Sequence, residues 1–347
     1  MVDPALQNEN APLTYLKTLT SQKLELVGFS GAFVTHGFDI LTDPADSQLV
    51  HIFAVNHLPN PQHWDAQEVN RSPNKTRSQI EIFRHVLGSK TAEHVRSIHD
   101  PLISTPNDIL ATSPTSFYVT NDHYYREGHM RMVEEILTQK YGGWSDTLHV
   151  EITDLQPASP STGTHITVAL TGLHNNNGLG RASSKRPEEV LVDDASGGVV
   201  TRARRSLDAA ADKKLDIIEQ FQFDTSIDNP FFYDDPWATP EDDASGYVLG
   251  GLTRACDLAE AFPIPDKPIP VTVWYKRRAP GSTQTTDDSH KSWKTDIIFQ
   301  DDGKKLRSAS AAVMIGLDPK ENGGKKQAWV FVTGFASAAM VATKVDL

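Results

Sequence analysis

The chain contains a single cysteine, Cys256, and no long apolar segment. One cysteine cannot form an internal disulfide, which excludes a disulfide-stapled scaffold. No apolar run approaches the ~18 residues that a membrane-spanning helix needs, so no transmembrane segment is predicted. The opening residues, MVDPALQNENAPL, have neither the basic nor the apolar region of a signal peptide, and the location of the protein is left open.

Basic residues are in the minority. The sequence has 33 Lys and Arg against 45 Asp and Glu, which gives a formal net charge of −12. Binding to a phosphate backbone needs basic surfaces, so nucleic acid is excluded as the expected partner. An acidic surface fits either ordinary solubility or the binding of cations.

Helical periodicity is also scarce. One segment, HMRMVEEILTQKY at residues 129–141, has an apolar stripe at helical spacing and is predicted to pack on a sheet edge. Elsewhere, short runs rich in Val, Ile, Phe and Thr alternate with Asp- and Gly-containing turns, as in half-buried sheets. The sequence therefore predicts an all-β sandwich, barrel or propeller, among which periodicity does not choose.

Three polar stretches interrupt this pattern, at residues 58–77, 232–246 and 279–292. Their proline-containing, acidic or linker-like composition predicts inserted loops. None of them separates two halves of different character. A single domain over residues 1–347 is therefore expected.

Polar clusters at the ends of predicted strands are the candidates for chemistry. They read THGFDI, VNH, TPNDI, TNDHYY, HNNNGLG and SIDN in chain order. Asp and Asn oxygens are ligands that calcium prefers, and histidine can act as a general base near neutral pH. Asn-Asp pairs are equally typical of turns, and a pair chosen among thirteen histidines is weak evidence, so both interpretations stay open at this point.

Taken in order, these motifs resemble the paraoxonase family of arylesterases and lactonases, within the calcium-dependent phosphotriesterase superfamily. The resemblance is strongest to fungal members. It rests on HG, VNH, STPND, FYVTNDHYY, NNNGL, IDN and the closing TGFASAAMVATKVDL, and it covers nearly the whole chain. It implies a six-bladed β-propeller that holds two calcium ions, one catalytic and one structural.

The resemblance also implies roles for individual residues. The expected ligands of the catalytic calcium are Asn107, Asn177, Asp228 and Asn229. The structural calcium would be bound by Asp108 and the backbone carbonyl of Phe38.

Four further residues receive roles in the reaction from the same resemblance. His36 would be the base that activates water, His57 its relay partner, and Asp122 and His123 part of the substrate pocket. The implied activity is calcium-dependent hydrolysis of a small lactone or aryl ester. Calcium would stabilise the oxyanion.

One feature of the family is missing from this sequence. Its members carry a Glu-Asp pair upstream of the His-Gly motif, and the 35 residues before His36 contain none. A weakened metal site and an incomplete first blade are therefore expected, with a loosely ordered segment at MVDPALQNEN. The alternatives are a non-catalytic propeller that serves as a scaffold, or another propeller enzyme such as a sugar lactonase or a strictosidine-synthase-like protein. The TNDH and VNH motifs argue against another kind of propeller enzyme.

Overall fold

A computed structural model of the chain describes residues 22–64, 75–134, 143–206, 213–278 and 293–347. Within them, twenty strands form five sheets. The first sheet contains β1 (Glu25–Val27), β2 (Thr35–Thr42), β3 (Leu49–Pro59), β4 (Thr76–Val86) and β5 (Thr91–Ile98). The second contains β6 (Pro106–Ser113), β7 (Ser116–Asn121), β8 (Ser145–Ile152) and β9 (Thr164–Leu173).

The remaining sheets follow in chain order. The third contains β10 (Asn176–Arg181), β11 (Glu189–Asp194), β12 (Val199–Arg205) and β13 (Leu215–Gln222). The fourth contains β14 (Asp228–Tyr233), β15 (Gly246–Leu252), β16 (Val271–Arg278) and β17 (Trp293–Asp301). The fifth contains β18 (Ala309–Leu317), β19 (Gln327–Gly334) and β20 (Val341–Asp346).

The sheets are meanders in which consecutive strands are neighbours. In the first, β3 and β4 pair antiparallel without interruption from Leu49↔Val86 to Pro59↔Thr76. Branched and aromatic side chains such as Phe53, Val55 and Ile80 are fully buried there, which is where such residues stabilise strands. The all-β prediction is confirmed, and these meanders are the units from which propellers are built.

The predicted six blades are wrong, because the strands of the described residues group into five sheets. The prediction that the first blade is short of a strand is also wrong. That sheet has four antiparallel strands, and β1 adds a fifth by pairing parallel to β5 from Glu25↔Thr91 to Val27↔Glu93. The sheet with fewest strands is the last, with three. The segment MVDPALQNEN lies outside the described residues.

The chain divides into two compact units. The first unit comprises the described residues of Leu19–Leu179 and Arg204–Asp216, and the second those of Gly180–Ala203 and Ile217–Leu347. The first has an apolar core shared by its two sheets, centred on side chains such as Phe53 and Phe117, and the second has its own cores. The single domain over residues 1–347 stays a prediction.

Helices are short within the described residues. They are α1 (Pro61–Trp64), α2 (residues 129–134) and α3 (Leu258–Ala261), the last preceded by a 3-10 turn, Ala255–Asp257. The helix predicted from the apolar stripe is confirmed at residues 129–134, and its continuation lies outside the described residues. No helix in the part of the chain that the structure describes is long and apolar enough to cross a membrane.

The connections between strands show where two of the predicted loops lie. Residues 60–75 connect β3 to β4 and residues 234–245 connect β14 to β15, so the ends of the predicted loops belong to strands. The third predicted loop, 279–292, lies outside the described residues.

Candidate functional site

The predicted motifs occupy equivalent places in successive sheets. The pairs at residues 36–37, 107–108, 176–177 and 228–229 lie at the start of β2, β6, β10 and β14. Each of these is the first strand of its antiparallel meander. The motifs therefore repeat with the sheets, although the sequence shows no exact internal repeat.

A β-bulge accompanies three of the four motifs. Between residues 35 and 38, β2 has one residue more than β3 opposite it. The same shift occurs between residues 106 and 109 of β6, and between residues 228 and 231 of β14. Such a bulge bends the strand and turns its side chains, a device often found beside functional sites.

Gly37 allows β2 and β6 to come into close contact. A Cβ atom at this position would lie 2.2 Å from the carbonyl oxygen of Asn107 and 2.5 Å from the Cα of Asp108. Both are backbone atoms that cannot turn away, so a side chain does not fit. Gly37 therefore allows β2 and β6, which both carry predicted metal ligands, to pack backbone against backbone.

The buried hydrogen bonds of Asn56 explain why the middle residue of the VNH motif is an asparagine. Its side chain is fully buried. Its Oδ1 accepts a 2.8 Å bond from the backbone N–H of Val34, and its Nδ2 donates to the carbonyl of Ala32 and to Oε1 of Glu81. Asn56 therefore holds the segment that leads into His36, while His57 next to it faces the site.

His36 and His57 form a hydrogen-bonded pair. Nδ1 of His36 lies 3.1 Å from Nε2 of His57, and Nδ1 of His57 lies 2.8 Å from Oγ of Ser78. Arg126 donates a 2.6 Å bond to the same Oγ. The second ring nitrogen of His36, Nε2, makes no hydrogen bond within the described residues, so it is available to accept a proton.

The surroundings of the pair keep both rings neutral. Burial lowers the pKa of His36, with the positive charge of Arg126 acting in the same direction and Asp122 opposing it. Burial, followed by the charges of His36 and Arg126, lowers the pKa of His57 to about 4. Near neutral pH both imidazoles therefore carry a lone pair, which a proton acceptor requires.

Asp122 and His123 form a second polar pair beside the first. Nδ1 of His123 donates to Oδ1 of Asp122 at 2.7 Å, and Nδ2 of Asn107 donates to Oδ2 at 3.3 Å. Although burial alone would raise it, these bonds and the charge of His123 hold the pKa of Asp122 below its usual range. Arg131 contacts Nε2 on the other side of the His123 ring.

Asp108 is a buried carboxylate next to Gly37. Its Oδ2 accepts a 2.8 Å bond from the backbone N–H of Leu179, and a Cβ on Gly37 would lie 2.6 Å from its Oδ1. Burial raises the pKa of Asp108 to about 7, and the charge of Asp39 adds to this effect, while backbone hydrogen bonds oppose it. Two neighbouring carboxylates, Asp108 and Asp39, are donors that a hard cation prefers.

The histidine pair opens into a cavity of about 290 Å³. The residues lining this cavity, called here the dyad cavity, are His36, His57, Thr105, Pro106, Asp122, His123, Arg126 and Arg131. All four residues predicted to take part in the reaction thus line one cavity. Sequence reasoning missed Ser78, Arg126 and Arg131, of which the two arginines follow the TNDHYY motif closely enough to have been suspected.

The predicted calcium ligands are divided between the two units. Asn107, Asp108, Phe38 and Asn177 lie in the first unit, where the backbone carbonyl of Asn177 accepts a 2.6 Å bond from Thr120. Asp228 and Asn229 lie in the second unit, so their shared role stays a prediction. Among the described residues, no group of three or more His, Cys, Asp or Glu side chains is arranged to hold a metal. The predicted calcium ligands are mainly amide and carbonyl oxygens, which such a group does not include.

Comparison with known proteins supports the resemblance. A family model described as Arylesterase matches residues 67–236. Serum paraoxonase/arylesterase 2 of Gallus gallus is 24% identical over 199 residues, which is 57% of this chain and 46% of that protein. Serum paraoxonase/arylesterase 1 of Homo sapiens is 28% identical over 130 residues, 38% of this chain and 30% of that protein.

The chain belongs to the paraoxonase/arylesterase family. It spans about half the length of the relative from Gallus gallus in that match. The matched stretch of this arylesterase-family chain contains the motifs at 107–108, 121–123, 176–177 and 228–229, whereas His36 and His57 precede it. A solved structure of a luciferin-regenerating enzyme covers 87% of this chain and 84% of its own at 10% identity, with a TM-score of 0.37, too low to equate the two backbones.

Proposed function

We propose that this chain hydrolyses lactones or aryl esters. The observation that carries the proposal is the His36–His57 pair, whose nitrogens are 3.1 Å apart in a cavity that also contains Asp122 and His123. The serum paraoxonase/arylesterase names of its relatives agree with ester hydrolysis.

In this reaction His36 accepts a proton from water at Nε2. The oxygen of the water adds to the carbonyl carbon, the acyl C–O bond breaks, and the leaving oxygen takes the proton that His36 had accepted. His57 accepts the Nδ1–H of His36 and keeps the lone pair of Nε2 directed into the cavity. Because the pKa of His57 is lowered to about 4, this ring stays a hydrogen-bond acceptor rather than a competing base.

Two calcium ions form the second part of the proposal. Asn107, Asn177, Asp228 and Asn229 would hold the catalytic ion, and Asp108 with the carbonyl of Phe38 the structural one. The burial of Asp108 beside Gly37 supports this assignment. Bound calcium would supply stabilisation of negative charge on the carbonyl oxygen. Without calcium, burial and, to a smaller extent, the nearby charge of Asp39 disfavour ionisation of Asp108.

The test is a substrate panel of γ-butyrolactone, δ-valerolactone and phenyl acetate, measured with added calcium and with chelator. We expect calcium-dependent hydrolysis. His36→Gln should lower kcat by about 10²–10⁴, the typical contribution of a general base, without loss of calcium binding. His165→Gln is the matched control, because His165 is exposed and lies outside the dyad cavity.

Calcium should also stabilise the fold. A ligand that binds only the folded chain contributes about 2.7 kcal/mol at a hundredfold excess over its Kd, so chelator should lower Tm. A wild-type chain that is inert on the whole panel with calcium would refute the hydrolase proposal and favour a binding or scaffold role. Equal rates for wild type and His36→Gln would refute the assignment of the base.

A further inference from the structure

Arg126 lies in the wall of two cavities. One is the dyad cavity. The other, called here the side cavity, has a volume of about 490 Å³. Besides Arg126, the polar and charged residues lining the side cavity are Asn60, Thr76, Arg77, Ser78, His99, Asp100 and Ser104. Ser78, which contacts the ring of His57, thus also lines the side cavity.

Most donors of Arg126 remain available. A guanidinium carries five N–H groups. Within the described residues Arg126 makes two hydrogen bonds, both through Nη2, to Oγ of Ser78 and to the carbonyl of Ser104, each at 2.6 Å. The hydroxyl of Thr76 in the side cavity is buried and has no partner in the described part of the chain. The side cavity therefore offers polar groups that a ligand could satisfy.

The charges around both cavities favour an anion. The side cavity has Arg77 and Arg126 against Asp100, and the dyad cavity has Arg126 and Arg131 against Asp122. The Asp122 carboxylate is already engaged by His123 and Asn107. An excess of cationic groups in these cavities contrasts with the net charge of −12 of the chain, and concave cationic sites concentrate anions.

We propose that Arg126 binds a carboxylate of the substrate, so that the preferred substrates are lactones or esters that carry a carboxylate beside the scissile bond. This inference rests on the proposed hydrolase function. The planar guanidinium fork matches a carboxylate, and Arg126 is one hydroxyl group away from His57. The side cavity would take the part of the substrate beyond that carboxylate.

The first experiment compares kcat/KM for γ-butyrolactone and its γ-carboxylate derivative. Wild type should prefer the carboxylate-bearing lactone by about 10- to 100-fold, as expected for a hydrogen bond to a charged group. Arg126→Gln should abolish this preference. Arg84→Gln, an exposed arginine of β4 outside both cavities, should keep it. Because Arg126 also contacts Ser78, the ratio of the two substrates is the readout, not either rate alone.

A loss of activity on both lactones with an unchanged ratio would overturn the proposal, since Arg126 would then only position Ser78. Equal use of the two lactones by wild type would overturn it as well. If wild type hydrolyses neither, calorimetry decides independently of catalysis. The inference stands if glutarate binds wild type, neutral glutaramide does not, and Arg126→Gln weakens glutarate binding at least tenfold. It falls if glutarate does not bind or Arg126→Gln makes no difference.

Discussion

The bulges that start β2 and β14 are alike in register but are held in different ways. In the first unit, Gly37 lies against the backbone of residues 107–108, and Asn56 fixes the preceding segment through buried hydrogen bonds. In the second unit, Asn229 itself adopts a left-handed conformation, with φ 50°, and its Nδ2 donates a 2.8 Å bond to the carbonyl of Ser310.

The difference shows which of the two bulges is supported by a network of buried polar side chains. Around His36 the backbone is fixed by several partners that support one another, among them the fully buried Glu81, which accepts bonds from Asn56, Gln79, His94 and Ser97. At Asn229 the bulge combines the left-handed conformation of this residue with its side-chain bond to the carbonyl of Ser310. A dyad needs supporting residues to hold its geometry, and the first unit provides them.

The largest expected effect comes from Gly37→Ala. A Cβ would meet backbone atoms at 2.2 and 2.5 Å, so the strands must separate, at a cost of about 3 kcal/mol or more. Gly250→Ala in β15 is the matched control, because its nearest neighbours would be 3.4 Å away. Denaturant unfolding measures both variants. If both variants lost the same small amount of unfolding free energy, the close contact at Gly37 would not matter for stability.

The second-largest loss of stability is expected from Asn56→Ala. It leaves the Val34 N–H without its bond and removes a donor from the buried Glu81, which costs about 2–4 kcal/mol. It should also slow hydrolysis, because the segment before His36 loses its anchor. Asn322→Ala, at an exposed turn of the second unit, is the control. Full stability of Asn56→Ala would contradict the supporting role given to this side chain.

Acid should destabilise the first unit. Burial, followed by the charge of Lys213, lowers the pKa of His149 to about 4, as burial does for His57. Since the unfolded rings titrate near 6.5, the stability they contribute is complete above that pH and is lost as pH falls towards 4. Replacing His149 with Gln should therefore flatten the decrease in Tm between pH 7 and pH 4.5, whereas replacing the exposed His129 with Gln should not. An unchanged pH profile for His149→Gln would contradict the lowered pKa.

The smallest expected effect distinguishes conformation from hydrogen bonding at Asn229. Ala and Gly both remove the bond to Ser310, but only Ala is strained at positive φ. Asn229→Ala should therefore be less stable than Asn229→Gly by about 1 kcal/mol, measured with chelator present. Equal stabilities would mean that the left-handed conformation does not hold the bulge.

Local pattern was sufficient to predict the strands and the kind of side chains at the site. Branched and aromatic runs predicted sheet, and helix α2 was found from its apolar stripe. The resemblance to the paraoxonase family assigned His36, His57, Asp122 and His123 to one site, and the structure puts them around one cavity. Ser78 was missed because a serine within a strand carries no pattern of its own. Arg126 directly follows the TNDHYY motif, but only its bond to Ser78, which in turn bonds His57, shows its place at the site.

The sequence by itself determined the strand character, the acidic charge and the order of the polar motifs, because these depend on residue type and on spacing along the chain. Tertiary structure decided the number of sheets, the parallel pairing of β1 with β5 and the recurrence of the bulges. Those features depend on which strands share hydrogen bonds across long sequence separations. The Gly37 contact is the plainest case: the letter G allows many conformations, and only the backbone of residues 107–108 beside it makes a hydrogen side chain necessary.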